Sequence, residues 1–120
     1  ILVVDDHPIV RQGIANMIDI TPGMAVVGQA ANGHEALAEV ERSAPDIVLM
    51  DVNMPEMNGV EATRLIRNRW PEVVVIGLSV QEDEATASSM IDAGAHGFLP
   101  KAGDPSDLLE TIRAVTVNPA

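Results

Sequence analysis

The sequence predicts an α/β domain in which a doubly wound parallel sheet is covered by helices on both faces. Short, almost wholly apolar runs alternate five times with amphipathic stretches. Strands without an exposed polar side are typical of parallel sheets buried between two layers of helices. The length of 120 residues fits one domain with a substantial core. We therefore predict five β-α units in a single domain.

The first unit begins with a strand over residues 1–4 and continues with a helix over roughly residues 8–20. Pro8 favours the first turn of a helix, where a backbone N–H has no intrahelical partner. The apolar residues of this stretch recur three or four positions apart, as on one buried helix face: Val10, Ile14, Met17 and Ile18. The second strand is predicted over residues 25–30.

Two further helices are predicted from their caps. Asn32 is followed three residues later by Glu35, and Asn58 by Glu61, which is the pattern of a helix N-cap with an acid in the first turn. The helix after Asn32 is expected to end before Pro45. The second of these helices is expected to bury Ala62, Leu65, Ile66 and Trp70. The third and fourth strands are predicted over residues 47–50 and 73–78.

The last two helices differ in the strength of their patterns. Residues 82–93 predict a helix dominated by small side chains, so we expect it to shift most easily. The fifth strand is predicted over residues 98–100. Asp104, Pro105 and Asp107 then predict the start of a final helix, whose buried side carries Leu108, Ile112 and Val115.

Composition excludes several classes of function. Eighteen acidic residues against seven basic ones give a formal charge of −11, and no basic stripe is present, so we expect no direct binding of nucleic acid. The lack of cysteine excludes disulfides and thiolate metal sites. No apolar run approaches the roughly 20 residues of a membrane span, and no signal peptide is visible. We expect a cytoplasmic protein without a membrane partner.

Polar residues follow four of the predicted strands. Asp5 and Asp6 follow the first strand, and Asp51, Ser79 and Lys101 follow the third, fourth and fifth. Each has a structural explanation when taken alone. In open α/β sheets, however, ligand sites lie at the carboxyl ends of the strands. We therefore expect these side chains to converge on one functional site.

This set of side chains favours phosphoryl chemistry. Converging carboxylates repel one another and need a cation, and Mg²⁺ is the hard ion that prefers carboxylate, water and phosphate oxygens; Mn²⁺ is the alternative ion. Asp51 can attack a phosphoryl group as a carboxylate nucleophile. Lys101 can neutralise charge on the transferring oxygens, and Ser79 can donate a hydrogen bond to one of them.

These residues and their surroundings resemble the receiver domain of bacterial response regulators over essentially the whole chain. The resemblance is carried by the Asp5-Asp6 pair, Asp51 with MPEMNG at residues 54–59, Ser79, and GAHGFLPK at residues 94–101. The stretches VDDHP at residues 4–8 and GLSV at 77–80 are most similar to the NarL/FixJ branch. One departure is Ala102, where many members of the family have proline.

The resemblance implies a role for each matching residue. Asp51 would be the phosphoacceptor, and Asp5 and Asp6 the acidic pair of a Mg²⁺ site to which Asn53 adds its backbone carbonyl. Lys101 would contact the phosphate. Ser79 and Phe98 would form the switch that changes the face made by the fourth helix, the fifth strand and the fifth helix. The family's sheet order is 2-1-3-4-5, as in flavodoxin-like folds.

The resemblance also implies partners. We expect residues 1–116 to form the receiver domain and residues 117–120 to begin a linker to a C-terminal output domain, which in this branch is usually a DNA-binding helix-turn-helix domain. A sensor histidine kinase would donate the phosphoryl group. Homodimers through the fourth helix–fifth strand–fifth helix face, or through the first and fifth helices, are further expectations. The domain would catalyse only its own phosphotransfer and dephosphorylation, and so is not an enzyme.

Three alternatives stay open at this point. A haloacid-dehalogenase-type phosphatase also uses an aspartyl nucleophile, but it needs an acid where this chain has Asn53. A flavodoxin-like FMN domain has the same architecture, but this chain has no Ser/Thr-rich phosphate loop after its first strand, where Asp5 and Asp6 would repel the FMN phosphate. A receiver that signals without phosphate is the third.

His7, His34 and His96 are interpreted as structural or surface groups, with tuning of the adjacent acids as the alternative for His7.

Overall fold

The computed structural model describes residues 1–52, 58–79, 84–100 and 105–116. Within them, five strands alternate with five helices. The strands are β1 (Leu2–Val4), β2 (Gly28–Ala30), β3 (Ile47–Asp51), β4 (Val74–Ser79) and β5 (Gly97–Pro100). The helices are α1 (Pro8–Asp19), α2 (Gly33–Ser43), α3 (Gly59–Arg69), α4 (Glu84–Asp92) and α5 (Pro105–Thr116).

All strand pairs are parallel, and the sheet has the order β2-β1-β3-β4-β5. The predicted doubly wound fold and its strand order are therefore confirmed. β3 is the central strand, and all five of its residues are buried. A residue at the carboxyl end of β3 consequently has neighbouring strands on both sides.

The core consists of two hydrophobic clusters, one on each face of the sheet. On one face, α1 and α5 pack against β1, β3 and β4 through Ala15, Ile18, Leu108 and Ile112. On the other face, α2, α3 and α4 contribute Ala36, Val40, Ala62, Ile66 and Met90. Aliphatic side chains and alanine thus fill the space between the layers, as a chain with one tryptophan and one phenylalanine requires. Within the described part of the chain, every helix is too short or too polar to cross a lipid bilayer.

The predicted caps of α2 and α3 are present. The Asn32 side chain accepts a hydrogen bond from the Glu35 backbone N–H at 2.9 Å, and Asn58 accepts one from Glu61 at 2.9 Å. Each cap satisfies a backbone N–H in the first turn that has no intrahelical acceptor. The predicted cap of α5 at Asp104 lies outside the described residues.

Several predicted boundaries differ from the structure. β2 covers only Gly28–Ala30, because it pairs with the three residues of β1 and its other side is a sheet edge. Val27, predicted as part of this strand, is 45% exposed. Trp70 lies one residue beyond α3, where its backbone N–H caps the helix by donating to Ile66. α4 ends at Asp92, and residues 82 and 83 lie outside the described residues.

His96, in the turn before β5, should make the stability of the folded domain depend on pH. His96 Nδ1 accepts a hydrogen bond from the Val75 N–H at 3.4 Å, which requires this nitrogen to be unprotonated. Burial, and then the positive charge of Arg67, lower the pKa of His96 below its ordinary value of 6.5. The unfolded chain therefore binds the proton more readily than the folded chain.

Because of this difference, His96 should favour the folded state above pH 6.5 and oppose it as the pH falls from 6.5 towards the lower folded pKa. Melting temperatures measured between about pH 7.5 and about pH 5.5 should fall less steeply for His96→Gln than for the wild type. Equal pH slopes for the two proteins would contradict this role of His96.

Candidate functional site

The register of β1 and β3 places two of the predicted acids side by side. Val4 pairs with Met50, so Asp5, the first residue after β1, lies beside Asp51, the last residue of β3. Both carboxylates are fully buried. Asp6 follows directly, with 27% of its side chain exposed. The carboxyl edge at the centre of the sheet therefore carries three acids.

These acids form one compact cluster together with His7. Each of the four residues offers one ligand atom, and all four atoms lie within 4.8 Å of one another. His7 Nδ1 lies 3.1 Å from Asp5 Oδ1 and 3.0 Å from Asp6 Oδ1. With 59% of its side chain exposed, His7 is a surface group, as the sequence predicts. Its ring also lies beside the acids, and tuning of these acids by His7 stays a prediction.

The donor set of this cluster fits a divalent cation. At about 4 Å, two carboxylates repel by ~1 kcal/mol in water and by ~4 kcal/mol at an effective dielectric of 20. A bound cation removes this repulsion, and carboxylate oxygens are the protein ligands that Mg²⁺ prefers. Asp5, Asp6 and Asp51 thus match the requirements of the ion that the sequence predicts.

Gly59 supports the backbone at Asp51. Its N–H donates to the Val52 carbonyl at 3.0 Å, and the Val52 N–H in turn donates to the Leu78 carbonyl at 3.0 Å. A Cβ at position 59 would lie 2.7 Å from Val52 Cα and would also collide with the Asp51 carbonyl oxygen. The first residue of α3 therefore has to be glycine for the helix to sit against the end of β3. In the sequence, Gly59 stands out only as the last residue of MPEMNG, and its contact with β3 is not predicted.

Arg11 is a second residue that sequence analysis missed. Its Nη1 donates to the Asp5 carbonyl at 2.9 Å, and its Nε donates to Gln29 Oε1 at 3.1 Å. The guanidinium thereby ties the turn after β1 to β2 and fixes the backbone that carries the acidic pair. A cation in the first turns of the helix after two acids is the sequence signal that could have identified it.

The predicted switch residues occupy β4 and β5. Ser79 is the last residue of β4 and is 2% exposed, and it directly follows Leu78, the pairing partner of Asp51. Phe98 lies on β5 opposite Gly77. A Cβ at position 77 would lie 3.0 Å from Phe98 Cδ2 and 2.8 Å from Met90 Cε. Side chains of α4 and β5 thus both approach Gly77, two residues before Ser79.

Two predicted site residues, Asn53 and Lys101, lie outside the described residues, as does Ala102. Their roles stay predictions. The structure brings together Asp5, Asp6 and Asp51, and it places Ser79 at the end of the strand next to β3.

Comparison with known proteins gives a family match over most of the chain. The family model of the response regulator receiver domain matches residues 1–113. The transcriptional regulatory protein DegU of Brevibacillus brevis is 39% identical over 115 residues, which are 96% of this chain and 49% of that protein. The nitrate/nitrite response regulator protein NarL of Escherichia coli K12 is 37% identical over 112 residues, 93% of this chain and 52% of that protein.

A solved structure gives the same picture of the fold. The crystal structure of a LuxR-family two-component response regulator from Aurantimonas sp. SI85-9A1 superposes with a TM-score of 0.92 at 39% identity. The superposition covers 97% of this chain and 83% of that one. By contrast, the chain spans about half the length of the curated relatives it matches.

Proposed function

Because this chain belongs to the response regulator receiver domain family, we propose that Asp51 is its phosphoacceptor and that a sensor histidine kinase is the donor. Membership of the family, and of its NarL/LuxR-type branch, sets aside the phosphatase and FMN-binding alternatives. The alternative of a receiver that signals without phosphate is the one that the experiment below decides.

The observation that carries the proposal is the burial of Asp51 at the end of the central strand, within 4.8 Å of ligand atoms of Asp5 and Asp6. An ionised carboxylate needs no general base to act as a nucleophile. In the proposed step, an Asp51 oxygen forms a bond to phosphorus while the phosphorus–nitrogen bond of the donor's phosphohistidine breaks. The donor imidazole leaves with the electron pair of that bond and takes up a proton, and Asp51 becomes an acyl phosphate.

Charge neutralisation supplies most of the catalysis in such a transfer, because the transition state is loose. Asp5, Asp6 and Asp51 would hold Mg²⁺, or Mn²⁺ as the alternative ion, together with the backbone carbonyl of Asn53. When bound, the ion supplies positive charge next to the phosphoryl oxygens. Lys101 would add a second, fixed positive charge. The domain would catalyse only its own phosphotransfer and dephosphorylation.

The proposed response to phosphorylation is a movement of Ser79 and Phe98. The Ser79 hydroxyl would move to donate a hydrogen bond to the phosphate, and Phe98 would turn into the space that this movement leaves. Since Phe98 and Met90 both lie close to Gly77, rotation of Phe98 would change the packing between β5 and α4 and thereby the surface formed by α4, β5 and α5. Such a two-state switch is biased by the new dianion.

The output of this switch is proposed from the relatives. DegU, which is named a transcriptional regulatory protein, is about twice as long as the matched region. We propose that residues 117–120 lead to an output domain that binds DNA, and that the protein acts in the cytoplasm. Homodimerisation through the α4-β5-α5 face, or through α1 and α5, would transmit the change.

Acetyl phosphate tests the phosphoacceptor directly. With Mg²⁺, the chain should gain the mass of one phosphoryl group, and peptide mapping after borohydride reduction should place the modification on Asp51. Chelation of Mg²⁺ should abolish the reaction. Asp51→Asn should show no modification, because its amide is not a nucleophile at neutral pH.

Asp46→Asn is the matched control. Asp46 is exposed and lies just before the amino end of β3, at the opposite end of the strand from Asp51. This variant should be modified like the wild type. Modification of Asp51→Asn, or a map to any residue other than Asp51, would reject the assignment, and a wild type that takes up no phosphoryl group would favour the phosphate-independent alternative.

A further inference from the structure

We propose that His7 supplies a nitrogen ligand to the cation site and thereby shifts its preference from Mg²⁺ towards Mn²⁺ and the later first-row ions such as Ni²⁺. The inference rests on the proposed function, because it concerns the ion that the same acids would hold. It goes beyond that function by assigning a ligand and a metal preference to a residue outside the three carboxylates.

The distances within the cluster match those between neighbouring ligands of one ion. Ligand atoms about 2.1 Å from an octahedral ion, at right angles to each other, are separated by about 3.0 Å. His7 Nδ1 lies 3.0 Å from Asp6 Oδ1 and 3.1 Å from Asp5 Oδ1. The imidazole nitrogen thus has the spacing of an adjacent ligand to each of the two carboxylate oxygens.

The backbone keeps His7 in this position. Its N–H donates to Asp5 Oδ1 at 2.8 Å, and its carbonyl accepts the Arg11 N–H at 2.9 Å in the first turn of α1. The side chain is 59% exposed, so the ring lies between the acids and solvent.

The chemistry of imidazole determines which ions gain from this ligand. Imidazole nitrogen suits Ni²⁺, Cu²⁺ and Zn²⁺, and affinities of a mixed nitrogen and oxygen site rise from Mn²⁺ to Cu²⁺. Mg²⁺ prefers oxygen ligands and keeps several of its waters. His7 should therefore strengthen the binding of Ni²⁺ strongly, that of Mn²⁺ moderately and that of Mg²⁺ little.

The same distances also suit hydrogen bonds from a ring N–H to the two carboxylates. In that arrangement His7 would compete with every ion for the oxygens, and its removal would strengthen the binding of all of them. The ligand role predicts the opposite sign, with weaker binding of Ni²⁺ after removal. The sign of the change in Ni²⁺ affinity after removal of His7 therefore distinguishes the two roles.

Calorimetric titration of the 120-residue chain with Mg²⁺, Mn²⁺ and Ni²⁺ compares the wild type with His7→Gln. The variant should lose about tenfold or more in affinity for Ni²⁺ and change by less than about twofold for Mg²⁺. His34→Gln, the same substitution at an exposed position of α2, should leave all three affinities unchanged. Pulsed electron paramagnetic resonance of bound Mn²⁺ should show coupling to an imidazole nitrogen that is lost in His7→Gln.

Equal or tighter Ni²⁺ binding by His7→Gln, or a wild-type Mn²⁺ spectrum without nitrogen coupling, would overturn the ligand role. Neither result affects the proposed function if acetyl phosphate with Mg²⁺ still modifies Asp51. If instead the wild type binds none of the three ions, the inference fails together with the cation site.

Discussion

Replacing Gly59 by alanine should destabilise the domain by about 1–3 kcal/mol, the usual cost of adding a carbon to a well-packed position. The added Cβ would collide with the Asp51 carbonyl oxygen and with Val52 Cα. Both are backbone atoms, so no side-chain rotation can relieve the collision. The domain can respond in two ways: α3 moves away from β3, or the end of β3 moves. Movement of the end of β3 would displace Asp51, and phosphorylation by acetyl phosphate should then slow as well.

Gly13→Ala provides the matched control for this prediction. Gly13 lies on an exposed part of α1, and a Cβ there would meet no atom within 4 Å. Because alanine favours a helix over glycine by about 1 kcal/mol, this variant should be stabilised. Urea denaturation of both variants measures the two effects. A Gly59→Ala protein as stable as the wild type, with an unchanged rate of phosphorylation, would show that the contact at the end of β3 does not constrain Asp51.

Much of the fold could be predicted because its determinants are local. Asn32 and Asn58 cap helices through residues three positions away, and the alternation of apolar runs with amphipathic stretches predicts the five β-α units without any long-range information. β2 was predicted too long, since its length depends on the three residues that β1 offers for pairing. That limit belongs to another part of the chain and is not visible in residues 25–30 themselves.

The candidate site likewise has features that could be predicted from the sequence and features that could not. The proximity of Asp5 and Asp51 could be predicted because each directly follows an apolar strand, and parallel strands bring their carboxyl ends to one edge. The contact of Gly59 with β3 depends on how closely α3 approaches the sheet. The inclusion of His7 in the cluster depends on the direction of one side chain. Such features follow from tertiary packing, which no local sequence pattern encodes.

Asp51→Asn, the variant that should abolish phosphorylation, should also stabilise the fold when metal is removed. Three carboxylates with oxygens inside 4.8 Å repel one another, and neutralising one of them removes up to two repulsive pairs. At about 4 Å, each pair costs ~1 to ~4 kcal/mol, depending on the effective dielectric. With a chelator at low ionic strength, the free energy of unfolding should therefore rise by at least the cost of one pair, about 1–4 kcal/mol.

Addition of Mg²⁺ should reduce this difference. An ion that binds only the folded state stabilises it by an amount that grows with the ratio of its concentration to its dissociation constant. The wild type should gain more than Asp51→Asn, which has lost one charged ligand. Thermal melts with and without Mg²⁺ measure the stability of each protein and the stabilisation that the ion adds. The control Asp46→Asn should change stability by less than about 0.5 kcal/mol under either condition.

A lower stability of Asp51→Asn in the chelator would contradict this prediction and would mean that the interactions of Asp51 with its surroundings outweigh the repulsion. The predicted sign follows from what the site has to do. In the proposed function, the carboxylates that receive a cation and a phosphoryl group are held close together before either arrives, so the folded state contains the repulsion that the ligands would relieve. The spacing that suits Asp51 to its proposed role as phosphoacceptor should therefore also make its neutral replacement the more stable residue.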